Sequence, residues 1–405
     1  MLDPNFIREN VDKVREGMKK RGMDAGIVDK FLAADMEWRT YLTEEEGIRA
    51  QRNVLGKEDR ERSGALKREL KEKEPLKKDA WMRREEFLRA IPNIPEARVP
   101  VGKDEEDNVE LSSWGKIPKF KFEPKDHMEL AGPLINKEKA SEVSGSRFSY
   151  ILGDLALLEF ALIKYVFEKL LPHGFIPVIP PVLVKSKTMV GMGKTKFIED
   201  EDAYYLPADD LYLVGTAEDS IGPLHSNEII DIKELPKRYV GFSTAFRREA
   251  GTYGKDVKGI LRSHQFDKAE MFSFTRPEDS VKENEFLLKM QEEIMRGLGL
   301  PYRVVYICTA DMGFTATNQY DIETWLPSEG KYRESHSCSN TTDFQSRGLN
   351  IKSSEGEFVH MLNATGVAIG RMLIYILENN QTKDGKIKIP KALQPYVGKK
   401  EIKRG

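Results

Sequence analysis

The chain has 405 residues, a formal net charge of −2, two cysteines and 40% hydrophobic residues. That length allows two or three domains with a sizeable core. The near-neutral balance excludes a globally basic nucleic-acid binder, so any RNA contact must come from local patches. Cys308 and Cys338 give no disulfide framework and point to a reducing compartment. The opening MLDPNFIREN has no basic-then-apolar leader and no Arg/Ser-rich transit character. The longest apolar run, Ile151–Leu171, is interrupted by Asp154, Glu159, Lys164 and Glu168, which predicts an amphipathic helix rather than a membrane span. A cytoplasmic protein with no membrane partner is expected.

Asp3-Pro4 opens a short helix expected to end near Gly22. A long helix follows from Ile27 to about Lys57. Its Phe31, Ala34, Trp38, Tyr41, Ile48 and Leu55 fall on alternating steps of three and four, with Glu45 and Arg52 breaking the row. So narrow a seam is the signature of a coiled coil. Gly56–Gly64 reads as a turn, and Ala65 to Ala90 returns as a second helix with Leu66, Leu70, Leu76, Ala80, Phe87 and Leu88. Pro75 lies inside it and is expected to kink or divide it. The predicted construction is an antiparallel helical hairpin, about residues 27–90, in an N-terminal domain of residues 1–100. The return limb carries Lys67, Arg68, Lys71, Lys73, Lys77, Lys78, Arg83 and Arg84. Interspersed acids nearly balance them, as on an ordinary solvated face. A hairpin this long nevertheless buries little of itself and needs something to touch.

Ile91–Asn108 is proline-rich and charged, a linker, and a second domain takes up residues 101–405. A helix over Ser149–Leu171 precedes GFIPVIPPVLV (Gly174–Val184), whose prolines suit a sheet edge or an interface. GMGKTKF (Gly191–Phe197) resembles a phosphate loop only superficially, because Thr188 stands where the first glycine is needed. Leu211–Gly222 reads as a short strand ending at Gly215-Thr216-Ala217-Glu218; on local chemistry alone Thr216 is a helix cap, boxed by Asp219. A helix over Ser280–Leu298 and two strands within Pro301–Pro327 come next. In Lys331–Gln345 the residues Glu334, Ser335, His336, Ser337 and Cys338 cluster. No further Cys or His stands at zinc spacing, so no zinc is expected; Glu334 and Ser337 better suit magnesium as hard oxygen ligands. Phe358–Gln381 enters as a strand, is expected to turn at Asn363–Gly366, and becomes an apolar helix with one cation, Arg371, which needs an anionic partner.

Between these segments lies the densest chemistry, Tyr239–Thr275. Two strands, Tyr239–Arg248 and Leu261–Thr275, flank a loop with Gly251, Gly254 and Gly259. Residues two apart share a strand face, which pairs Arg247 with Glu249, His264 with Phe266, and Lys268 with Glu270. A guanidinium, a carboxylate and an aromatic ring on one face suit an anionic, planar ligand. A solvated amphipathic hairpin would show the same alternation.

Taken together, GFIPVIPP with Pro181, TAE at Thr216–Glu218, FRREAG…LRSHQFDKAE, ESHSCSN and LNATGVAIGR occur in the order found in seryl-tRNA synthetases. With the helical hairpin and its linker, the whole chain resembles that class II aminoacyl-tRNA synthetase family. The resemblance implies an α+β fold, an antiparallel sheet flanked by helices, with a coiled-coil arm and a homodimer built on the proline-rich segment. It implies a ligase that joins L-serine to tRNA(Ser) through seryl-adenylate, with ATP and Mg2+; charging of tRNA(Sec) is left open. Arg247, Glu249 and Arg371 would be the catalytic groups. ATP would also meet Arg248, Ser263, Phe266, Glu334, Ser335, His336 and Ser337, with Mg2+ on Glu334 and Ser337. Serine would meet Thr216, Ala217, Glu218, Arg247, Glu270, Asn363 and Thr365, and the arm's Lys67, Arg68, Lys71, Lys73, Lys77 and Lys78 would meet tRNA phosphates. Gly215, Ser263 and Ala364 depart from the residues usual in the family, and Ala364 is expected to crowd the serine pocket. Two alternatives are a paralogous ligase loading a carrier protein and a non-catalytic module on the same fold. The retained arm argues against the first, and the four residues Arg247, Glu249, Glu334 and Arg371 argue against the second.

Overall fold

The computed structural model describes residues 1–56, 59–250 and 259–403. Its contacts divide the chain into two units, Met1–Ile94 and Pro95–Gly405.

The first unit opens with two short helices, Pro4–Glu9 and Val11–Lys20, where a single helix to Gly22 was expected. The Asp3 side chain caps the first, and Asn10, in a non-helical conformation, separates them. Helices α1 (Gly26–Asn53) and α2 (Arg60–Arg89) form the hairpin. Ascending positions on one limb meet descending positions on the other, which makes the pair antiparallel. Pro75 does not divide α2. It lies on the exposed face, so the missing N–H falls on the solvent side, away from the packed seam. The seam itself is only partly apolar. Phe31, Ala34, Ile48, Leu66, Ala80 and Leu88 are buried, but Leu76 is half-exposed. Charge zips the middle instead: Lys73 donates to Glu44 at 2.7 Å, and Lys77 donates to Glu45. At the root, Asp35 is buried and accepts from Arg84 Nε at 2.7 Å and Arg8 Nη1 at 2.9 Å. The Arg84 guanidinium also lies 4.9 Å from the Trp38 ring centre.

The second unit is organised on an eight-stranded sheet: β1 (Val109–Trp114), β2 (Phe175–Val178), β3 (Lys237–Phe246), β4 (Gln265–Thr275), β5 (Tyr302–Tyr306), β6 (Asn318–Leu326), β7 (Lys331–Thr342) and β8 (His360–Ala368). Their spatial order is β1-β5-β6-β7-β8-β4-β3-β2. Every neighbouring pair is antiparallel except β2 with β3. Strand β2 is an edge, which leaves Pro177 with no ladder bond to donate. Helices α3 (Asp154–Leu170), α4 (Ser280–Leu298) and α5 (Ile369–Asn379) join the sheet in one core containing Leu158, Leu287, Met271, Val367 and Leu373.

Strand β4 shows how the faces divide. Ala269 and Met271 enter that core, while Phe272 and Phe274 belong to a second apolar cluster with Ile221, Tyr239 and Met361. Phe266, Lys268 and Glu270 share the parity of Phe272 and Phe274, so this face is open at one end and sealed at the other. Strand β8 does not turn at Asn363–Gly366. It runs on to Ala368, because Asn363 and Ala364 are paired with β7 on one side and, with Thr365, with β4 on the other. Among the described residues no helix is long and apolar enough to cross a membrane.

Candidate active site

Two clefts open side by side on the face that carries Phe266, Lys268 and Glu270. One, of about 340 Å³, is lined by Glu249, Arg262, Ser263, Phe266, Lys268, Glu334, Thr365 and Arg371. The other, of about 460 Å³, is lined by Lys194, Thr216, Glu218, Asp219, Ser339 and Asn363. Asp202, Arg247 and Ser337 line both. A larger depression nearby takes in Arg248, Glu249 and His264.

Arg247 follows the last residue of β3. Its backbone N–H donates to His264 O at 3.0 Å and its Nε to Gly215 O at 3.1 Å, while the guanidinium lies 5.5 Å from the Phe266 ring centre. Two elements therefore fix the cation at the junction of the clefts. Glu249 reaches the same cleft by a different route from strand alternation. It stands at φ 52°, in the left-handed region that non-glycine residues seldom adopt. Its carboxylate accepts from Arg262 Nη1 at 3.2 Å. Arg248 turns away: it donates to Ala203 O at 3.2 Å and lies over Tyr204. Residues 251–258 of the predicted loop, with Gly251 and Gly254, lie outside the described residues; Gly259 is described.

The opposite wall depends on a β-bulge. On β7, His336 pairs with Ile322 and Glu334 with Glu323, leaving Ser335 as an extra residue. The bulge puts Glu334 and Ser337, three positions apart, on the same cleft, which a regular strand would not do. His336 is buried away from the cleft, and Ser335 is almost fully buried at its wall. The Ser335 hydroxyl donates to Ile322 O at 3.0 Å, accepts from Thr324 at 2.8 Å and lies 2.8 Å from His336 Nδ1. Burial drives the His336 ring down to about 4, so it is a neutral part of the scaffold. Arg371, at the start of α5, donates to Glu334 Oε1 at 3.0 Å. That guanidinium first, and Arg247 and Lys268 after it, hold the Glu334 carboxyl below its ordinary range despite desolvation. Arg371 thus has the anionic partner its apolar helix requires.

The second cleft is built around Glu218. Thr216 Oγ1 accepts weakly from Glu218 N at 3.4 Å, while Asp219 Oδ2 accepts from Gly215 N at 2.9 Å; the helix nevertheless starts at Glu218 with Ala217 as its N-cap and no side-chain cap, so Thr216 is not the capping residue expected. Glu218 Oε1 accepts from Gln345 at 2.6 Å and Asn363 at 3.2 Å, and Oε2 from Lys194 at 2.9 Å. Burial would raise this carboxyl, but Lys194 and the hydrogen bonds outweigh it and hold it low. Burial raises Glu270, and Lys268 opposes that rise from 2.6 Å. Ala217 buries its methyl in the second apolar cluster, so only Thr216 and Glu218 of that triplet bring side chains to the cleft. Ala364 belongs to the main core, while its neighbours Asn363 and Thr365 line the clefts. It therefore does not crowd this pocket. Gly215 is small for cause: a Cβ there would lie 2.9 Å from the Phe197 ring.

The sequence does not single out Lys194 and Asp219 as cleft residues or Gln345 as the partner behind Glu218. Lys194 sits in a segment that resembles a phosphate loop, and Gln345 has no local pattern. On the arm, Lys67, Arg68, Lys71 and Lys78 are exposed, whereas Lys73 and Lys77 are tied to α1.

An antiparallel sheet with paired clefts, an arginine at their junction and carboxylates on both sides fits the class II aminoacyl-tRNA synthetases that the sequence resembles. Residues 203–380 match the tRNA synthetase class II core domain (G, H, P, S and T), and residues 1–95 match the seryl-tRNA synthetase N-terminal domain. The serine–tRNA ligase of Petrotoga mobilis is 42% identical, over 99% of this chain and 100% of that protein. That of Thermotoga maritima is 44% identical over 98% and 99%. A crystal structure of seryl-tRNA synthetase from Pyrococcus horikoshii complexed with ATP superimposes with TM-score 0.92 and 40% identity, covering 100% of both chains. The chain belongs to the seryl-tRNA synthetase family.

Proposed function

We infer that the protein is a serine–tRNA ligase. It activates L-serine with ATP, releasing pyrophosphate, and passes the seryl group from the adenylate to the terminal ribose of tRNA(Ser). The observation that carries the site assignment is the sharing of Arg247 by both clefts. Of the three residues that line both clefts, Asp202, Arg247 and Ser337, only Arg247 offers a cation where a nucleotide in the cleft of Phe266 and Arg371 would meet an amino acid in the cleft of Glu218.

The chemistry then follows. The serine carboxylate is already ionised and attacks the α-phosphorus without a general base, so positioning and charge carry the step. Arg247 holds the α-phosphate and stabilises the charge that grows on it during in-line displacement. Glu249 accepts from the adenine amino group, the ring lies between Phe266 and Arg371, and Arg371 reaches the terminal phosphate. Ser263 and Ser335 border this cleft, whereas Arg248 and His336 support its walls. Glu334 and Ser337 present two hard oxygen donors to one cleft, and the ionised state of Glu334 suits Mg2+. That ion, when bound, offsets phosphate charge. Thr216, Glu218, Glu270, Asn363 and Thr365 receive serine's ammonium and hydroxyl. A pocket that hydrogen-bonds a hydroxyl leaves polar groups unpaired when alanine enters, which discriminates by ~10⁴ or more.

The arm grips tRNA backbone through Lys67, Arg68, Lys71 and Lys78, with Lys73 and Lys77 joining once their α1 partners release them. A homodimer forms across edge strand β2 and the outer face of α3, where Ile179 is 85% and Phe160 68% exposed. The enzyme works in the cytoplasm.

Serine-dependent ATP–pyrophosphate exchange, followed by transfer to purified tRNA(Ser) and tRNA(Sec), tests this assignment. Exchange and transfer with serine are expected. Exchange with glycine or alanine in preference to serine, or exchange without transfer, would move the protein to the carrier-loading class.

A further inference from the structure

Both carboxylates that would receive the substrate ammonium already hold a lysine: Glu270 pairs with Lys268 at 2.6 Å and Glu218 with Lys194 at 2.9 Å. Gln345 and Asn363 occupy the other oxygen of Glu218, which leaves Oε2, held by Lys194, as the oxygen open to a further donor. A substrate ammonium that approaches either carboxylate therefore meets a resident cation. Lys194 has somewhere to go, because Asp219 Oδ1 lies 3.4 Å from its Nζ. Asp219 is 1% exposed and adjoins Glu218 in sequence, so the two buried acids share this one lysine. The backbone is shaped to deliver it. Gly193 stands at φ 74°, and a Cβ there would come within 2.8 Å of Phe344 and Thr315. Only glycine lets the chain pass this close and drop the next side chain into the pocket.

We propose that Lys194 is a positioning residue for the amino acid: it holds Glu218 in place in the empty pocket, and yields Glu218 Oε2 to serine's ammonium by withdrawing onto Asp219. This rests on the serine–tRNA ligase assignment and adds to it an exchange of ion pairs on substrate binding. The exchange brings the two acids to charge balance when substrate binds. Before binding, one lysine serves two acids; afterwards each acid has its own cation. No bond is made or broken, and no proton moves.

The test is a double-mutant cycle read by pyrophosphate exchange, with serine varied at saturating ATP and ATP varied at saturating serine. Lys194→Met leaves two adjacent buried acids without a cation, and KM for serine rises at least about 30-fold. Asp219→Asn keeps an oxygen for Gly215 N but removes the place of withdrawal, so Lys194 competes with substrate and KM for serine again rises. The double variant has neither competitor nor surplus charge, and its KM for serine returns to within a few-fold of the parent. KM for ATP stays near its starting value throughout. A double variant no better than the worse single one, or Lys194→Met with unchanged KM for serine, overturns the proposal. A purely structural lysine would lower kcat and melting temperature and raise KM for serine and for ATP together, without recovery in the double variant. If Lys194→Met does not fold, Lys194→Gln takes its place with the same expectation. Absence of serine-dependent exchange in the parent protein would instead sink the ligase assignment, so the two failures are distinct.

Discussion

The arm and the cleft spend charge in opposite ways. On the arm, lysines and acids lie at the surface, and pairs such as Lys73–Glu44 keep side-chain exposures of 27% and 43%. Such pairs are worth little and can be surrendered to another anion. In the cleft, Lys194, Glu218, Asp219, Lys268 and Glu270 are largely buried and committed to one another. Breaking one member there strands its partner in a low-dielectric setting. The comparison teaches that a charge-rich sequence is not one electrostatic object: exposure decides whether a cation is available to a polyanion or reserved for a small substrate.

The sharpest break is at the junction. Arg247→Ala should reduce pyrophosphate exchange by about 10³-fold with no dependence on tRNA, the scale of losing one preorganised charge donor. Survival of most of the turnover would remove Arg247 from the centre of the site. Next comes the arm's root, where its chemistry turns cleft-like. Asp35→Ala leaves Arg84 and Arg8 without their shared acid and should cost the arm about 3 kcal/mol. Helix content followed by circular dichroism against urea would report it, with exchange activity retained. A smaller effect is expected from Lys67, Arg68, Lys71 and Lys78 changed together to Gln. Charging of tRNA should fall about 10- to 100-fold at unchanged exchange, and the salt dependence of tRNA binding should flatten by about one logarithmic unit per lost phosphate contact. A slope that does not change would place the RNA elsewhere. The mildest test concerns Glu159, whose carboxyl burial and then Asp267 push up to about 8. Between its ordinary value of 4.5 and about 8 the folded chain keeps a proton that the unfolded chain has released, so stability falls as pH rises through that window. Melting temperatures of Glu159→Gln across that range should show a shallower decline than those of the parent.

Much of this was legible in the sequence, for identifiable reasons. Strand alternation placed Lys268 beside Glu270, and the lone cation of an apolar helix, Arg371, demanded the acid found at Glu334. Other features needed the third dimension. The sequence shows Glu45 breaking the apolar row of the hairpin seam but not its partner; the middle is ionic because Lys73 and Lys77 meet Glu44 and Glu45, which only the antiparallel register brings opposite. Asn363–Gly366 resembles a turn because small and polar residues usually mark one, but ladders on both sides hold it straight. Glu249 shares a cleft with Arg247 through a left-handed backbone, not through parity. Lys194 and Gln345 come from segments far apart in the chain, and only folding makes them neighbours of Glu218.

The single surplus residue in β7 changes how that strand tolerates editing. Because Ser335 offsets the phase between Glu334 and Ser337, chain length there matters more than side-chain identity. Exchanging Ser335 for alanine costs a few hydrogen bonds, whereas deleting it would rotate Glu334 or Ser337 out of the cleft. Homologous sequences aligned through this segment should therefore vary in letters yet keep the same spacing.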